Sequence, residues 1–314
     1  MDLGGLLQDR VVLVTGKGGT GKTTYASAIA LLLAARGRRT VLCELDSQRP
    51  SLTGVFGREP DFHPLRVAPN LDVCNLTWPH TLVAYLERMI RVGPIVKAIL
   101  SNEMVRRFLD FTPGANEVVT LSVLADLREK YDVVVVDMPA SGHAFSLLDI
   151  TRSALGLFRA GPVRVRVEEL RLMIQAPTSR MVLVALPEEM VVNETLETLT
   201  RLQDGHLLGG KPIVVLNRAI APSLSAAEKT LLDRLSAEAA PGDAEEFVAA
   251  GRWDRVLEES AAEAQTRITE ALGEAPILVP PSGVGGNPRE VVRSVAIQLG
   301  RHLGVSKHDF TWGA

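Results

Sequence analysis

Short runs of β-branched and leucine residues recur along this chain, and most of them end at a small, polar or charged residue. Val11-Val12-Leu13-Val14, Thr40 to Glu44, the four valines 133–136, 181–185, 213–216 and 277–279 are such runs. Continuous apolar runs of this length fit strands buried on both faces rather than strands with one wet face. Residues 66–76 hold one or two shorter extended pieces. The segments between read as helices. Tyr25 to Ala35 is rich in Ala and Leu and stops at Arg36-Gly37, and further helical pattern covers 191–203, 224–237, 244–272 and 288–303. From Pro79 to about Lys130 the pattern is also helical, broken at Gly93-Pro94 and at Thr112-Pro113-Gly114. Strands alternating with helices predict an α/β fold, a mostly parallel β-sheet flanked by helices on both faces.

Composition sharpens this picture. Aromatic residues are only 4% of the 314, so the core must be filled by Ala, Val and Leu. No linker is long enough to separate two units. The expected organisation is therefore one domain over 1–314, with a helical insertion at about 77–130 and a further helical region at about 147–176. The net charge of −3 supplies no global cationic field for nucleic acid or anionic lipid, which leaves only a local patch for such a role. Cys43 and Cys74, the two cysteines, form neither a disulfide framework nor a four-thiolate zinc site. The chain opens without a basic segment followed by an apolar one, and its longest nearly apolar stretch, Ala26 to Ala35, is too short to cross a bilayer. A cytoplasmic protein without a transmembrane segment is expected.

The chemistry concentrates at strand ends. Gly16-Lys17-Gly18-Gly19-Thr20-Gly21-Lys22-Thr23 has Walker A spacing between a predicted strand and a predicted helix. Glycines let consecutive backbone amides close around phosphate oxygens, and the helix start adds partial positive charge. Lys22 is expected to reach the β and γ phosphates of a nucleotide, and Thr23 to ligate Mg2+. Asp46, just past the second strand, suits a carboxylate that either orients an attacking water or holds the magnesium shell. Asp137 ends the valine strand as a Walker B aspartate does, binding magnesium through water. Met138-Pro139-Ala140-Ser141-Gly142-His143 follows, and its small residues suit a loop that senses the γ-phosphate. His143 is a weaker candidate for a base than for conformational coupling.

Lys17, directly after the first loop glycine, exceeds the minimal Walker pattern. With it the sequence resembles the deviant-Walker branch of P-loop ATPases, which includes partitioning ATPases, nitrogenase iron protein and arsenite-pump ATPases. Gly16 to Thr24, the Asp46 segment, Asp137 to His143, Pro187-Glu188-Glu189 and the stretch Phe111 to Leu121 narrow the resemblance to the arsenite-pump ATPase family, which also contains the ATPase that targets tail-anchored membrane proteins. The resemblance implies ATP hydrolysis with Mg2+ and a dimer in which Lys17 reaches across to the partner's nucleotide; a lysine serving only its own nucleotide is the alternative. It also implies that Asn217 reads the adenine base and that Pro280-Pro281-Ser282-Gly283 forms the last nucleotide-side loop.

The chain departs from the best-known members of that family. Two cysteines, read as isolated thiols, do not recreate a three-thiolate metalloid site, and the intersubunit zinc CxxC is missing. Leu147 to Met173 and Leu82 to Phe111 are rich in apolar residues, and each either packs on the sheet or receives a client or partner. The favoured function is a dimeric ATPase, a homodimer or a pairing with a related subunit, whose nucleotide state controls a partner or client protein, membrane-associated proteins among the candidates. The alternatives are a partitioning or membrane-positioning ATPase, and a nucleotide-binding regulatory subunit with little turnover.

Overall fold

Valine and leucine runs that are apolar at every position can be stable only when both faces are covered, and the fold covers both. The computed structural model describes residues 3–45, 47, 50–90, 93–104, 107, 112, 114–157, 159–238, 244–281 and 286–301. A short 3-10 turn, Leu3–Leu7, leads into β1 (Val11–Gly16), α1 (Lys22–Ala35), β2 (Thr40–Leu45) and α2 (Leu52–Phe56). Then come β3 (Leu65–Ala68), β4 (Leu71–Leu76), α3 (Trp78–Ile90), α4 (Gly93–Ser101) and α5 (Ala115–Lys130). The chain continues through β5 (Val133–Asp137), α6 (Ser141–Leu157), α7 (Pro162–Ile174), β6 (Ser179–Ala185) and α8 (Glu189–Gly205). It closes with β7 (Ile213–Asn217), α9 (Ala226–Glu238), α10 (Ala244–Leu272), β8 (Ile277–Val279) and α11 (Pro288–Arg301).

The strands lie in one sheet in the order β3-β4-β2-β5-β1-β6-β7-β8. Every neighbouring pair is parallel except β3 with β4, which is antiparallel and broken by a register shift between Arg66 and Ala68. The expected α/β class with a mostly parallel sheet is what the fold has. The 66–76 stretch resolves into two strands, the first of them half exposed at the sheet edge.

The period of two along each strand sorts the core into two layers. Val12, Val14, Leu42, Val73, Val135, Val184 and Val215 face a layer made with α1, α2 and α11. Leu13, Val41, Val136, Leu183 and Leu216 face the other layer, shared with α5, α6, α7, α8 and α10. In α1, Tyr25 to Ala34 is buried all round, which explains why this helix carries no polar stripe. No helix among the described residues is long and apolar enough to cross a membrane.

Of the two helical stretches that sequence leaves open between packing and client binding, Leu147 to Met173 contributes to this second layer. Leu147, Leu148, Ala154, Val167, Leu170, Met173 and Ile174 are buried in it. The alternating run Val163-Arg164-Val165-Arg166-Val167 lies within α7, started by Pro162 at the first turn. Arg166 is only 7% exposed because it is neutralised inside the fold. It donates to Asp126 at 2.6 Å, to Glu169 at 3.0 Å and to the Ser122 carbonyl at 2.8 Å. Asp126 in turn receives Arg88 of α3 at 2.7 Å, so one carboxylate ties α3, α5 and α7 together. Burial pushes the Asp126 carboxyl up despite both arginines.

Cys43 and Cys74, isolated thiols by sequence, are direct neighbours in the fold. They are register partners on β2 and β4, wholly buried, with Sγ atoms 3.5 Å apart. Burial, then the neighbouring thiol, pushes the Cys43 thiol well above its usual range. A thiol that is neither ionised nor reachable does not react. In the native protein neither cysteine should be modified by a thiol-specific reagent on the timescale of a free thiol, and both should react once the chain is unfolded in denaturant. Rapid native-state labelling of either residue, read by mass spectrometry, would contradict this burial.

Candidate functional site

The loop between β1 and α1 is built around two close backbone approaches. A Cβ on Gly16 would lie 2.2 Å from the Val184 carbonyl oxygen, because β6 is the register neighbour at that point. Gly21 holds the left-handed conformation at φ 100° and a Cβ there would crowd the Asn217 amide at 3.1 Å. Only glycine fits either place without displacing the neighbouring strand. Inside the loop the Lys17 carbonyl accepts from the Thr20 hydroxyl at 2.9 Å and from the Lys22 ammonium at 3.1 Å. Lys22 is thus folded back onto the loop. Burial lowers its pKa, while Asp137 and Glu194 pull it upward.

Strand order delivers the second half of the site. β5 lies between β1 and β2, so Asp137 ends level with Val14 on one side and Glu44 on the other. Its Oδ2 accepts the Thr23 hydroxyl at 2.6 Å. Its Oδ1 is buried and has no hydrogen-bond partner among the described residues. Burial raises the carboxyl to about 6, with Glu44 adding to the rise and the Thr23 hydrogen bond and Lys22 opposing it. Glu44 is occupied elsewhere, accepting the backbone amides of Ser51 at 2.9 Å and Leu52 at 3.4 Å at the start of α2. Thr15 Oγ1 donates to the Pro139 carbonyl at 3.0 Å, which fixes the segment after Asp137 to the strand that carries the loop.

Asn217 closes the site from the other side. It ends β7, donates from Nδ2 to the Thr20 carbonyl at 2.8 Å and accepts the Tyr25 hydroxyl at 2.9 Å. One N–H and one further lone pair of the amide stay uncommitted by these two bonds. Pro280 is exposed one position beyond Val279, the register partner of Asn217, and lines a surface cavity of about 480 Å³ with Glu290, Arg293 and Arg301. Lys17 points away from the loop, 3.8 Å from Glu194 of α8, in an open cavity of about 490 Å³ that Phe145, Met190, Glu197 and Arg201 also line.

The structure therefore brings together Gly16, Lys17, Gly18, Gly19, Thr20, Gly21, Lys22, Thr23, Asp137 and Asn217, with Thr24 in the same first turn of α1. Asp46 lies outside the described residues, as do 282–285 of the last loop and the side chains of 141–143, His143 among them. Sequence reasoning missed Tyr25, Glu44 and Glu194. Glu44 had a signal, an acidic residue at the end of a buried strand. Tyr25 had none, because its partner is 192 residues away.

The residues present fit a hydrated magnesium ion. An orphaned, buried carboxylate oxygen beside a threonine hydroxyl is a hard-oxygen donor pair of the kind that ion takes, with water completing its shell. Among the described residues no cluster of three or more His, Cys, Asp or Glu residues offers an all-protein cage instead.

Residues 9–160 match the anion-transporting ATPase family, and that span includes the loop, Asp46 and Asp137. Over residues 9–160 the chain carries the domain of this family. It is 30% identical over 229 residues to ATPase BagA of Mycobacterium tuberculosis, covering 68% of this chain and 66% of that protein. It is 32% identical over 167 residues to putative arsenical pump-driving ATPase 2 of Aquifex aeolicus, covering 50% and 54%. It is also 27% identical over 151 residues to ATPase ASNA1 homolog 1 of Paramecium tetraurelia, covering 44% and 42%. The match thus spans just under two thirds of the mycobacterial relative, 54% of the Aquifex protein and 42% of the Paramecium protein.

Asp137 should leave a signature in stability. Its folded pKa, about 6, lies above the ordinary 3.8, so the folded state holds the proton more tightly than the unfolded one. The stabilisation that results is complete below about pH 4 and is lost as pH rises through about 6, amounting to about 3 kcal/mol. Relative to an Asp137→Asn protein, the nucleotide-free protein should lose this much unfolding free energy between pH 4 and pH 7 in urea titrations. Parallel curves for the two proteins would refute the burial of that charge.

Proposed function

We propose that this chain is a magnesium-dependent ATPase, hydrolysing ATP to ADP and phosphate, and that its nucleotide state governs pairing with a second protomer and thereby the binding of a partner or client protein. The observation that carries the reading is the junction of Thr23 and Asp137, which puts an unpartnered carboxylate oxygen beside the Walker lysine and the helix start. The anion-transporting ATPase domain over residues 9–160 and the relatives named as ATPases support it.

In this reading the backbone amides of Gly18 to Lys22 and the start of α1 take the phosphates. Thr23 and Asp137 would hold the magnesium ion, which when bound offsets charge on the β and γ phosphates. Lys22 leaves the Lys17 carbonyl and turns to the transferring group, exchanging an internal hydrogen bond for an ionic one. Asn217 keeps its two loop contacts and offers its remaining donor and acceptor to an adenine edge. Lys17 belongs, in the dimer, to the partner's nucleotide. In the isolated protomer it rests near Glu194, which neutralises it until another anion competes. The exposed Met190 and the mixed charges of Glu194, Glu197 and Arg201 around it make a surface suited to a second subunit.

Lys22→Ala removes a charged contact to the transferring phosphate. Turnover should fall at least about tenfold, the effect of roughly 1.4 kcal/mol in the barrier. Unchanged steady-state ATPase in a folded Lys22→Ala protein would sink this assignment.

The route of Lys17 is separable by mixing. In a heterodimer of Lys17→Ala with Lys22→Ala protomers, a lysine acting in trans leaves one site complete, the one that keeps its own Lys22 and receives the partner's intact Lys17. About half the parental turnover should survive, one working site of two. A lysine acting in cis leaves a defect in both sites, and mixed dimers without activity would establish that route.

A further inference from the structure

At the opposite end of the sheet from the loop, the strands begin in a crowd of arginines. Arg10 immediately precedes β1, Arg39 precedes β2, Arg180 lies in the start of β6, and Arg128 lies in the last turn of α5 before β5. Arg38 joins them from the turn after α1. Two carboxylates serve this group, and both are already taken. Asp9, 1% exposed, accepts Arg180 at 2.6 Å, and Asp132 accepts Arg39 at 2.8 Å.

The remaining three guanidiniums have no carboxylate ion pair among the described residues. Arg10 spends its donors on the carbonyl oxygens of Arg128 at 2.7 Å and Tyr131 at 3.4 Å. Arg38 donates to the carbonyls of Asp132 at 2.9 Å and Leu6 at 3.3 Å. Arg128 keeps a buried Nε–H with no hydrogen-bond partner among the described residues. Stapling strand ends accounts for where Arg10 and Arg38 lie, and Asp132 and Asp9 partly offset the Arg38 charge, but it does nothing for the Arg128 donor. The charges also feel one another. Burial lowers both Arg38 and Arg128; Asp132 and Asp9 act against this at Arg38, whereas Arg10 opposes the charged form of both. In a chain of net charge −3, five guanidiniums around two carboxylates form a local cationic excess.

The geometry points to a binding site at this pole for a phosphate-type oxyanion, recognised by Arg10, Arg38 and Arg128. Guanidinium is the group best matched to such an anion, since it presents planar paired donors and is weakly hydrated. The exposed Arg36, Arg39 and Lys130 around the rim would favour an anion carried on a surface, such as a phospholipid headgroup, as readily as free phosphate. The proposal is independent of the ATPase reading, because none of these residues touches the loop.

The test uses the full chain in a Lys22→Ala background, which weakens phosphate binding at the Walker loop. Inorganic phosphate is titrated at millimolar concentration and constant ionic strength, with the melting temperature as readout. Sedimentation with phosphatidylglycerol vesicles, against phosphatidylcholine vesicles, forms the second arm. Phosphate should raise the melting temperature, and Arg128→Gln should weaken its apparent affinity about tenfold. If free phosphate is the source, vesicles stay in the supernatant; if a headgroup is, the anionic vesicles carry the parent down and Arg128→Gln releases it. Either result supports the site. Arg10→Gln serves the same purpose should Arg128→Gln fail to fold. The proposal is overturned if neither phosphate nor anionic vesicles bind, or if they bind the arginine variants as well as the parent.

Discussion

A single hydrogen bond, from Thr23 to Asp137, joins the helix that follows the loop to the strand beside it. Everything around it is arranged so that this contact is made in a dry place. β5 is buried at every position, so its terminal carboxylate leaves water as the strand leaves the core. The carboxyl is held by one hydroxyl, faces one buried oxygen to nothing, and sits beside a second carboxylate, Glu44, which has been diverted to cap α2. The result is a stored electrostatic demand. A cation entering there relieves a desolvated negative charge, and the fold has already met the cost of creating it.

That demand could not be placed without the sheet order. β1 lies between β5 and β6, so the loop after β1 is flanked by the Asp137 strand on one side and the Val184 carbonyl on the other. β7, next to β6, brings Asn217 across to the Thr20 carbonyl. Loop, carboxylate and amide come from three segments widely spaced in sequence, and parallel pairing aligns their carboxyl ends on one rim. The helices behind the sheet carry charge of their own in a matched form. The Arg88–Asp126–Arg166 arrangement is neutralised on all sides, whereas the arginine pole at the far rim is not.

How much of this sequence could reveal follows from which forces are local. The strands at 133–137 and 213–217 were legible because continuous burial imposes continuous apolarity. The loop was legible because its glycines are forced by backbone approaches that any such loop must make. β3 was faint because an edge strand half in water has no need of an apolar run. Period alone is ambiguous over 163–167, because Arg166 is buried by pairing with Asp126, 40 positions away, a compensation invisible to periodicity. The meeting of Cys43 with Cys74 was hidden for a related reason. It depends on β4 pairing with β2, a register set by the tertiary fold. The two uses of Asn217 and the return of Lys22 to its own loop likewise belong to the folded state alone.

The sheet tapers at both margins. One margin is the four-residue β3, antiparallel and irregular in register, and the other is the three-residue β8. An unpaired strand edge is a template for adding another chain, and its hazard grows with its length and flatness. Margins this short offer few free backbone groups, so strand addition and edge-to-edge aggregation are disfavoured. Any assembly of these molecules is therefore directed to helical and loop surfaces, which can be separated and rejoined without breaking a β-ladder.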